Sequence, residues 1–206
     1  MTLYIPPHFR ADDPDELFAF IGRHAFGTLV TSGPTGLAVS HIPFLAGRDT
    51  GRIRLRAHLA RANEHWKALE GASALMAIFH GPHAYVSPGW YANHPSVPTW
   101  NYAVVHAHGR ARLMDEGELH ELVLELSNAY EAGRPKPWRA GDLPADYASA
   151  MLKNIVGFEV EVERLEGKYK LSQNRPAEVP RVIEALEREE PELAAFMRGH
   201  PAPGKG

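Results

Sequence analysis

The sequence contains no cysteine. That absence removes disulfide frameworks, cysteine-ligated zinc or iron–sulfur centres, redox thiols and cysteine nucleophiles together. No stretch approaches the ~20 apolar residues that a membrane-spanning helix needs. The start, Met1-Thr2-Leu3-Tyr4-Ile5-Pro6-Pro7, has no basic region ahead of an apolar run, and Asp12, Asp13 and Asp15 follow soon after. No secretory leader is read there, and the expectation is a soluble cytoplasmic protein. A basic excess is missing too. Lys and Arg number 22 against 25 Asp and Glu, for a formal net charge of -3. Proteins that live on phosphate contacts usually show the opposite balance, so direct DNA binding is not expected.

Several catalytic and nucleotide signatures are also absent. There is no G-x-G-x-x-G after a strand, no G-x-x-x-x-G-K-[ST], no G-x-S-x-G elbow and no H-E-x-x-H. Dinucleotide-fold, P-loop, serine-hydrolase and zinc-protease readings therefore lack support.

What is present is an ordinary globular mix over 206 residues, 44% hydrophobic and 23% charged. That length suits one domain, here residues 1–175, with a helical appendage at 176–206. Asp13, Pro14 and Glu16 predict a capped helix start, with Leu17, Phe18 and Ile21 on one face and Gly27 as its end. Strands are expected at Thr28–Thr31, Leu37–Leu45 and around Ile53–Leu59, with turns at 32–36 and 47–51. Ala62–Leu69 reads as a short helix. Ala74–Phe79 and Ala84–Ser87 read as two strands broken at Gly81-Pro82. The long loop Ser87–Thr99 keeps Trp90, Tyr91 and His94, a composition more typical of functional loops. Trp100–Leu113 reads as the longest strand, Asp115–Tyr130 as an amphipathic helix, and Met151–Ile155 as the close of a short one. Phe158, Val160, Val162 and Leu165 alternate with Glu159, Glu161 and Glu163 as a last strand with one wet face. Val179–Glu189 and Glu192–Met197 read as surface helices, and Pro201–Gly206 as a frayed tail. This order lacks the β-α-β alternation of a doubly wound sheet and fits an antiparallel barrel with peripheral helices.

Three segments carry chemistry. The first is Ala57-His58-Leu59-Ala60-Arg61-Ala62-Asn63-Glu64-His65-Trp66, where a strand gives way to a helix near Asn63. Free backbone N–H groups and a guanidinium could seat a phosphate there; taken alone, the segment reads first as an exposed Arg beside a capping Asn. The second is Pro98-Thr99-Trp100-Asn101-Tyr102, which places two aromatics and two hydrogen-bonding side chains at a strand start. It could wall a flat heterocycle or simply pack in a core. The third is Lys168-Tyr169-Lys170-Leu171-Ser172-Gln173-Asn174-Arg175, whose cations and amides could stabilise the negative charge of a reduced flavin or balance nearby glutamates. Five histidines, His80, His83, His94, His106 and His108, cluster without a carboxylate between residues 80 and 108, and a polar pocket lining is read there rather than a metal site.

Taken in order, these segments resemble the PaiB-like family of FMN-binding negative transcriptional regulators. The resemblance rests on Tyr4-Ile5-Pro6-Pro7-His8-Phe9, His58–Asn63, Gly81-Pro82-His83-Ala84-Tyr85-Val86-Ser87-Pro88, Trp90-Tyr91, Val97–Tyr102 and Lys170–Arg175. Glu64 is a mild departure, standing where Pro is common in such proteins. The resemblance implies a split β-barrel of the FMN-binding, pyridoxamine-phosphate-oxidase-like type, paired as a homodimer with FMN at the interface. It implies that Ser40, His41, His58, Leu59, Arg61 and Asn63 hold ribityl and phosphate. Thr99, Trp100, Asn101, Lys170, Gln173 and Arg175 would approach the cofactor, from the partner subunit. It implies a regulatory role or a low-specificity flavin redox reaction, without naming a catalytic residue. Haem, which related barrels can hold, is the alternative cofactor, and a direct DNA-binding repressor the alternative role.

Overall fold

The computed structural model describes residues 3–33 and 36–201. Parts of the turn expected at 32–36 and of the tail from Pro201 lie outside the described residues. The strands are β1 (Arg10–Ala11), β2 (Phe26–Gly33), β3 (Gly36–Pro43), β4 (Leu45–Asp49), β5 (Arg52–Ala60), β6 (Ala74–Val86), β7 (Thr99–Leu113) and β8 (Ile155–Lys170). The helices are α1 (Pro14–Arg23), α2 (Glu116–Glu131), α3 (Ala145–Leu152), α4 (Val179–Glu189) and α5 (Pro191–Gly199). The mostly antiparallel sheet runs β3-β2-β6-β7-β8-β5-β4, with β1 added to β8. The chain divides into two compact units, and β6, β7 and β8 contribute residues to both.

The larger unit comprises residues 21–79 and 107–165. On β5, Ile53, Leu55, Ala57 and Leu59 are buried while Arg52, Arg54, Arg56 and His58 take the other face; this is the period-2 alternation of a half-buried strand. Phe44 packs edge-on against Phe79 and Phe158, with ring centroids 5.4 and 6.3 Å apart. Asp115 caps α2 through a reciprocal capping box with Glu118.

The smaller unit comprises residues 1–20, 80–106 and 166–206, of which 3–20, 80–106 and 166–201 are described. Phe20, Tyr169 and Phe196 form an aromatic cluster, and His200 stacks on Phe196 while pairing with Glu16 at 2.6 Å. The helices α4 and α5 bury Val182, Leu186, Leu193, Ala194 and Met197, so they are core elements rather than surface decoration.

The sequence pattern misplaces several boundaries, each for a local reason. The expected strand Leu37–Leu45 is two strands, because Pro43 has no N–H to extend the ladder and Phe44 turns inward, 1% exposed, with its N–H on the Ala25 carbonyl at 2.8 Å. The expected turn at 47–51 shrinks to Thr50-Gly51, both at positive φ (47° and 83°), as a two-residue hairpin loop requires; Asp49 then pairs with Arg52. The break expected at Gly81-Pro82 does not occur, and β6 runs straight through. A Cβ on Gly81 would sit 2.7 Å from the Phe20 ring, so this glycine serves close packing rather than a turn. α1 ends at Arg23, and Gly27 lies inside β2. α3 ends at Leu152, leaving Ile155 to start β8. The wet face of β8 is partly dry: Glu159 is 7% exposed, bonded to Arg54 at 3.1 Å and Arg112 at 3.4 Å.

Candidate functional site

In the larger unit the His58–Asn63 segment leaves β5 and enters a five-residue 3₁₀ turn, Glu64–Ala68, not the helix expected over Ala62–Leu69. Five residues build no appreciable helix dipole, and Asn63 already accepts the His65 N–H at 3.2 Å. Any anion held here therefore relies on individual side-chain and backbone donors rather than on a helix end. Asn63 turns its amide nitrogen onto Ser40 Oγ at 3.1 Å. Ser40 in turn lies 2.8 Å from Nδ1 of His65, whose Nε2 lies 2.9 Å from Thr31 Oγ1. Thr31, Ser40 and His65 are all buried. Burial holds the His65 pKa below its ordinary value, so near neutral pH the ring is uncharged, donating at one nitrogen and accepting at the other. The polarity Asn63 to Ser40 to His65 to Thr31 gives each bond of this chain one donor and one acceptor.

His58 and His41 stand outside that network. His41 bonds Thr28 Oγ1 at 3.0 Å and is exposed. His58 shares a face of β5 with Arg56, which reaches Glu125 of α2 at 3.2 Å. Its Nδ1 is buried without a hydrogen-bond partner among the described residues, and burial lowers its pKa. Leu59 is 2% exposed and packs in the core, so only its backbone could meet a ligand. Arg61 is half committed: Nε donates to the Lys153 carbonyl at 2.7 Å and Nη2 to that of Ile155 at 3.0 Å. Beside it lies a cavity of about 360 Å³ lined by Arg61, Lys153, Ser149, Glu116, Leu119 and Leu152. Two cations, a hydroxyl and two apolar side chains, at a volume within the roughly 300–1,000 Å³ of small-molecule pockets, fit a mononucleotide phosphate; Glu116 is the one lining group that opposes it.

In the smaller unit the start of β7 and the segment after β8 enclose a cavity of about 150 Å³, whose walls include Tyr91, Thr99, Asn101, Lys170, Ser172 and Arg175. Lys170 bonds Thr99 Oγ1 and the Trp100 carbonyl, and burial, then the charge of Lys168, lower its pKa. Arg175 donates to Ser96 Oγ at 3.0 Å and lies over the Tyr91 ring, 5.0 Å from its centroid. Glu178, 3% exposed, accepts the Ala92 N–H at 2.8 Å, the Asn93 N–H at 3.2 Å and the Asn93 amide at 2.6 Å, which together hold its pKa down. The loop before β7 is thus clamped from the 172–178 segment.

Two of the expected flavin contacts are engaged elsewhere. Asn101 is fully buried, bonded to Ser172 Oγ at 2.9 Å and Met197 Sδ at 3.6 Å. Gln173 folds onto its own strand end, donating to the Tyr169 carbonyl and accepting from the Leu171 N–H, both at 2.7 Å. Trp100 is 54% exposed and meets Tyr85 edge-on. The twelve expected residues fall into two sets: Ser40 through Asn63 in the larger unit, Thr99 through Arg175 in the smaller. Sequence reasoning passed over Thr31, His65, Ser149, Lys153, Ser172 and Glu178 as site residues. His65 and Ser172 lie inside the Ala57–Trp66 and Lys168–Arg175 segments; the others carry no local signal, since partners far along the chain create their roles.

A family model described as "Putative FMN-binding domain" matches residues 3–164. The chain is 35% identical over 189 residues to "Protease synthase and sporulation protein PAI 2" of Bacillus subtilis, covering 91% of each protein. Among solved structures it is similar to the flavocytochrome Anf3 of Azotobacter vinelandii, with a TM-score of 0.58 and 16% identity over 78% of this chain and 69% of that one. The FAD and heme binding protein of Mycobacterium smegmatis gives a TM-score of 0.58 and 14% identity over 78% and 73%. At such identities the likeness speaks for fold: a mostly antiparallel split barrel with peripheral helices. With the family match over most of its length and FMN as that family's cofactor, the chain belongs to the PaiB-like family of FMN-binding proteins.

Proposed function

We propose that this chain works as a cytoplasmic homodimeric flavoprotein whose output is regulatory or a low-specificity flavin redox reaction. FMN bound at the subunit interface would supply reversible hydride and electron chemistry. The residues at the end of β5 hold its phosphate: Arg61 through the Nη1 that its carbonyl bonds leave over, with Lys153 and Ser149 lining the same cavity. Ser40 and Asn63, locked by His65, fix the neighbouring backbone. From the partner subunit, Thr99, Trp100 and Lys170 approach the ring, while Asn101 and Gln173 brace the backbone that carries them.

The observation that carries the reading is the donor set around the 360 Å³ cavity at the end of the His58–Asn63 segment, which lies within the FMN-binding family match. No residue is placed as a general acid, base or nucleophile, which supports a binding or electron-carrying role over hydrolysis. The Bacillus subtilis relative's name, with its protease synthesis and sporulation, supports a regulatory output. No helix among the described residues is long and apolar enough to cross a membrane. The test pairs an absorbance spectrum of protein purified from cells with its mass in solution. A yellow flavin spectrum, restored by FMN after stripping, and twice the chain mass are expected. A colourless protein that FMN cannot load defeats the proposal, and a Soret band in its place favours haem.

A further inference from the structure

Charge in this protein is mostly cancelled locally. In the larger unit Arg52, Arg54, Arg56, Arg110 and Arg112 each hold a carboxylate. The cleft of the smaller unit breaks this habit. Lys170 and Arg175 line one cavity, with Lys168 close enough to lower the proton affinity of Lys170, and none of the three meets a carboxylate among the described residues. Partly buried cations left uncompensated are costly unless an anion joins them. The donors are not used up either. Lys170 spends two of its three N–H groups on Thr99 and Trp100, and Arg175 uses Nη1 alone.

The backbone fixes one wall of the cleft. Ser172 adopts φ 66°, the left-handed region that a non-glycine residue enters only at a cost. That conformation presents its hydroxyl to the buried Asn101 amide at the cleft wall. Volume then limits the guest. About 150 Å³ falls below the roughly 300–1,000 Å³ of pockets that enclose whole drug-sized molecules; it is room for an oxyanion group rather than a three-ring heterocycle.

We infer that this cleft seats the oxyanion group, carboxylate or phosphate, of a small-molecule substrate or effector. Lys170 and Arg175 are its charge partners, and Thr99 and Asn174 its hydrogen-bonding rim, with Ser172 bracing the wall through Asn101. The inference extends the flavin reading by giving the ring a neighbour, but its test needs no flavin. Inorganic phosphate and acetate are titrated calorimetrically into the full chain, FMN-free and FMN-loaded, with chloride holding ionic strength constant. Saturable binding of one anion per chain is expected, at least about tenfold weaker in Lys170→Met and in Arg175→Gln, as loss of a charge-assisted hydrogen bond implies. Lys170→Arg restores most of it, and the exposed Arg48→Gln, with the same loss of charge, leaves it unchanged. Absent saturation, or an equal loss in Arg48→Gln, overturns the inference. So does FMN that displaces phosphate mole for mole, since the seat would then belong to the cofactor. A protein that binds phosphate here yet never loads FMN defeats the flavin reading alone.

Discussion

Thr31→Val tests the bond chain beneath the His58–Asn63 segment. The substitution keeps the branched shape at Cβ and deletes the hydroxyl that His65 Nε2 meets at 2.9 Å. Both residues are buried, Thr31 at 1% and His65 at 6% exposure, so water cannot replace the lost partner. The loss is one net hydrogen bond, about 1 kcal/mol, plus the cost of stranding an imidazole nitrogen, about 1–3 kcal/mol, offset in part by the added methyl. A destabilisation of about 2 kcal/mol follows. With a urea m-value of about 2–3 kcal/mol/M, the midpoint falls by roughly 0.7–1 M. In a His65→Leu background the same change strands nothing, so its cost should drop below about 0.5 kcal/mol, and the double-mutant cycle should show the two residues coupled. Urea unfolding followed by tryptophan fluorescence reads all four proteins. A midpoint shift in Thr31→Val under about 0.2 M, or additive effects in the double variant, would refute the chain of bonds as drawn.

Acid should weaken the protein in two windows. His58, His65 and His80 are pushed down by burial, so the unfolded chain binds more protons below its histidine pKa of about 6.5; stability is full above that pH and is lost as pH falls through the depressed folded values. Glu118, held at about 2 by its bond to Arg112, contributes stability above a carboxylate's ordinary range that fades from there toward pH 2. A urea midpoint unchanged between pH 7.5 and 5.5 contradicts the first window. Glu178→Ala should free the Ala92 and Asn93 amides, seen as faster hydrogen exchange confined to residues 91–96 with β7 still protected; unchanged exchange there would remove Glu178 as the clamp. Arg61→Gln should cost the FMN-free protein about 1 kcal/mol through its two lost carbonyl bonds, about 2–4 °C in Tm, and weaken FMN about tenfold. Lost stability with unchanged FMN affinity would make Arg61 a corner brace and nothing more.

The elements that periodicity announces strongly were legible. β5 shows why: four apolar residues alternating with three arginines and a histidine leave one arrangement of faces. α2 is equally plain, because Asp115 and Glu118 spell a capping box in the sequence itself. Failures came where a residue answers to something distant. Gly81 beside Pro82 reads locally as a break, yet it is small because Phe20, some sixty residues earlier, occupies the space its side chain would need. Glu159 alternates as a solvent-facing residue and is dried out by arginines from β5 and β7.

At the site, residue type was legible and allegiance was not. Asn101 and Gln173 have the amides that a heterocycle's edge wants, but an amide donates and accepts equally well to its own chain, and each found a nearer partner. A guanidinium at a chain corner faces the same choice, and Arg61 divides itself between two carbonyls and whatever lies beyond. Cations without carboxylates are different. Sequence places Lys168, Lys170 and Arg175 just after the acidic run from Glu159 to Glu166, where neutralisation is the natural reading. The folded chain spends those glutamates on other partners, Glu159 on Arg54 and Arg112, Glu161 on Arg52, Glu163 on Arg110. Only once those pairs are known does the surplus of positive charge at the cleft become visible, and it is that surplus, rather than any motif, that calls for an anion.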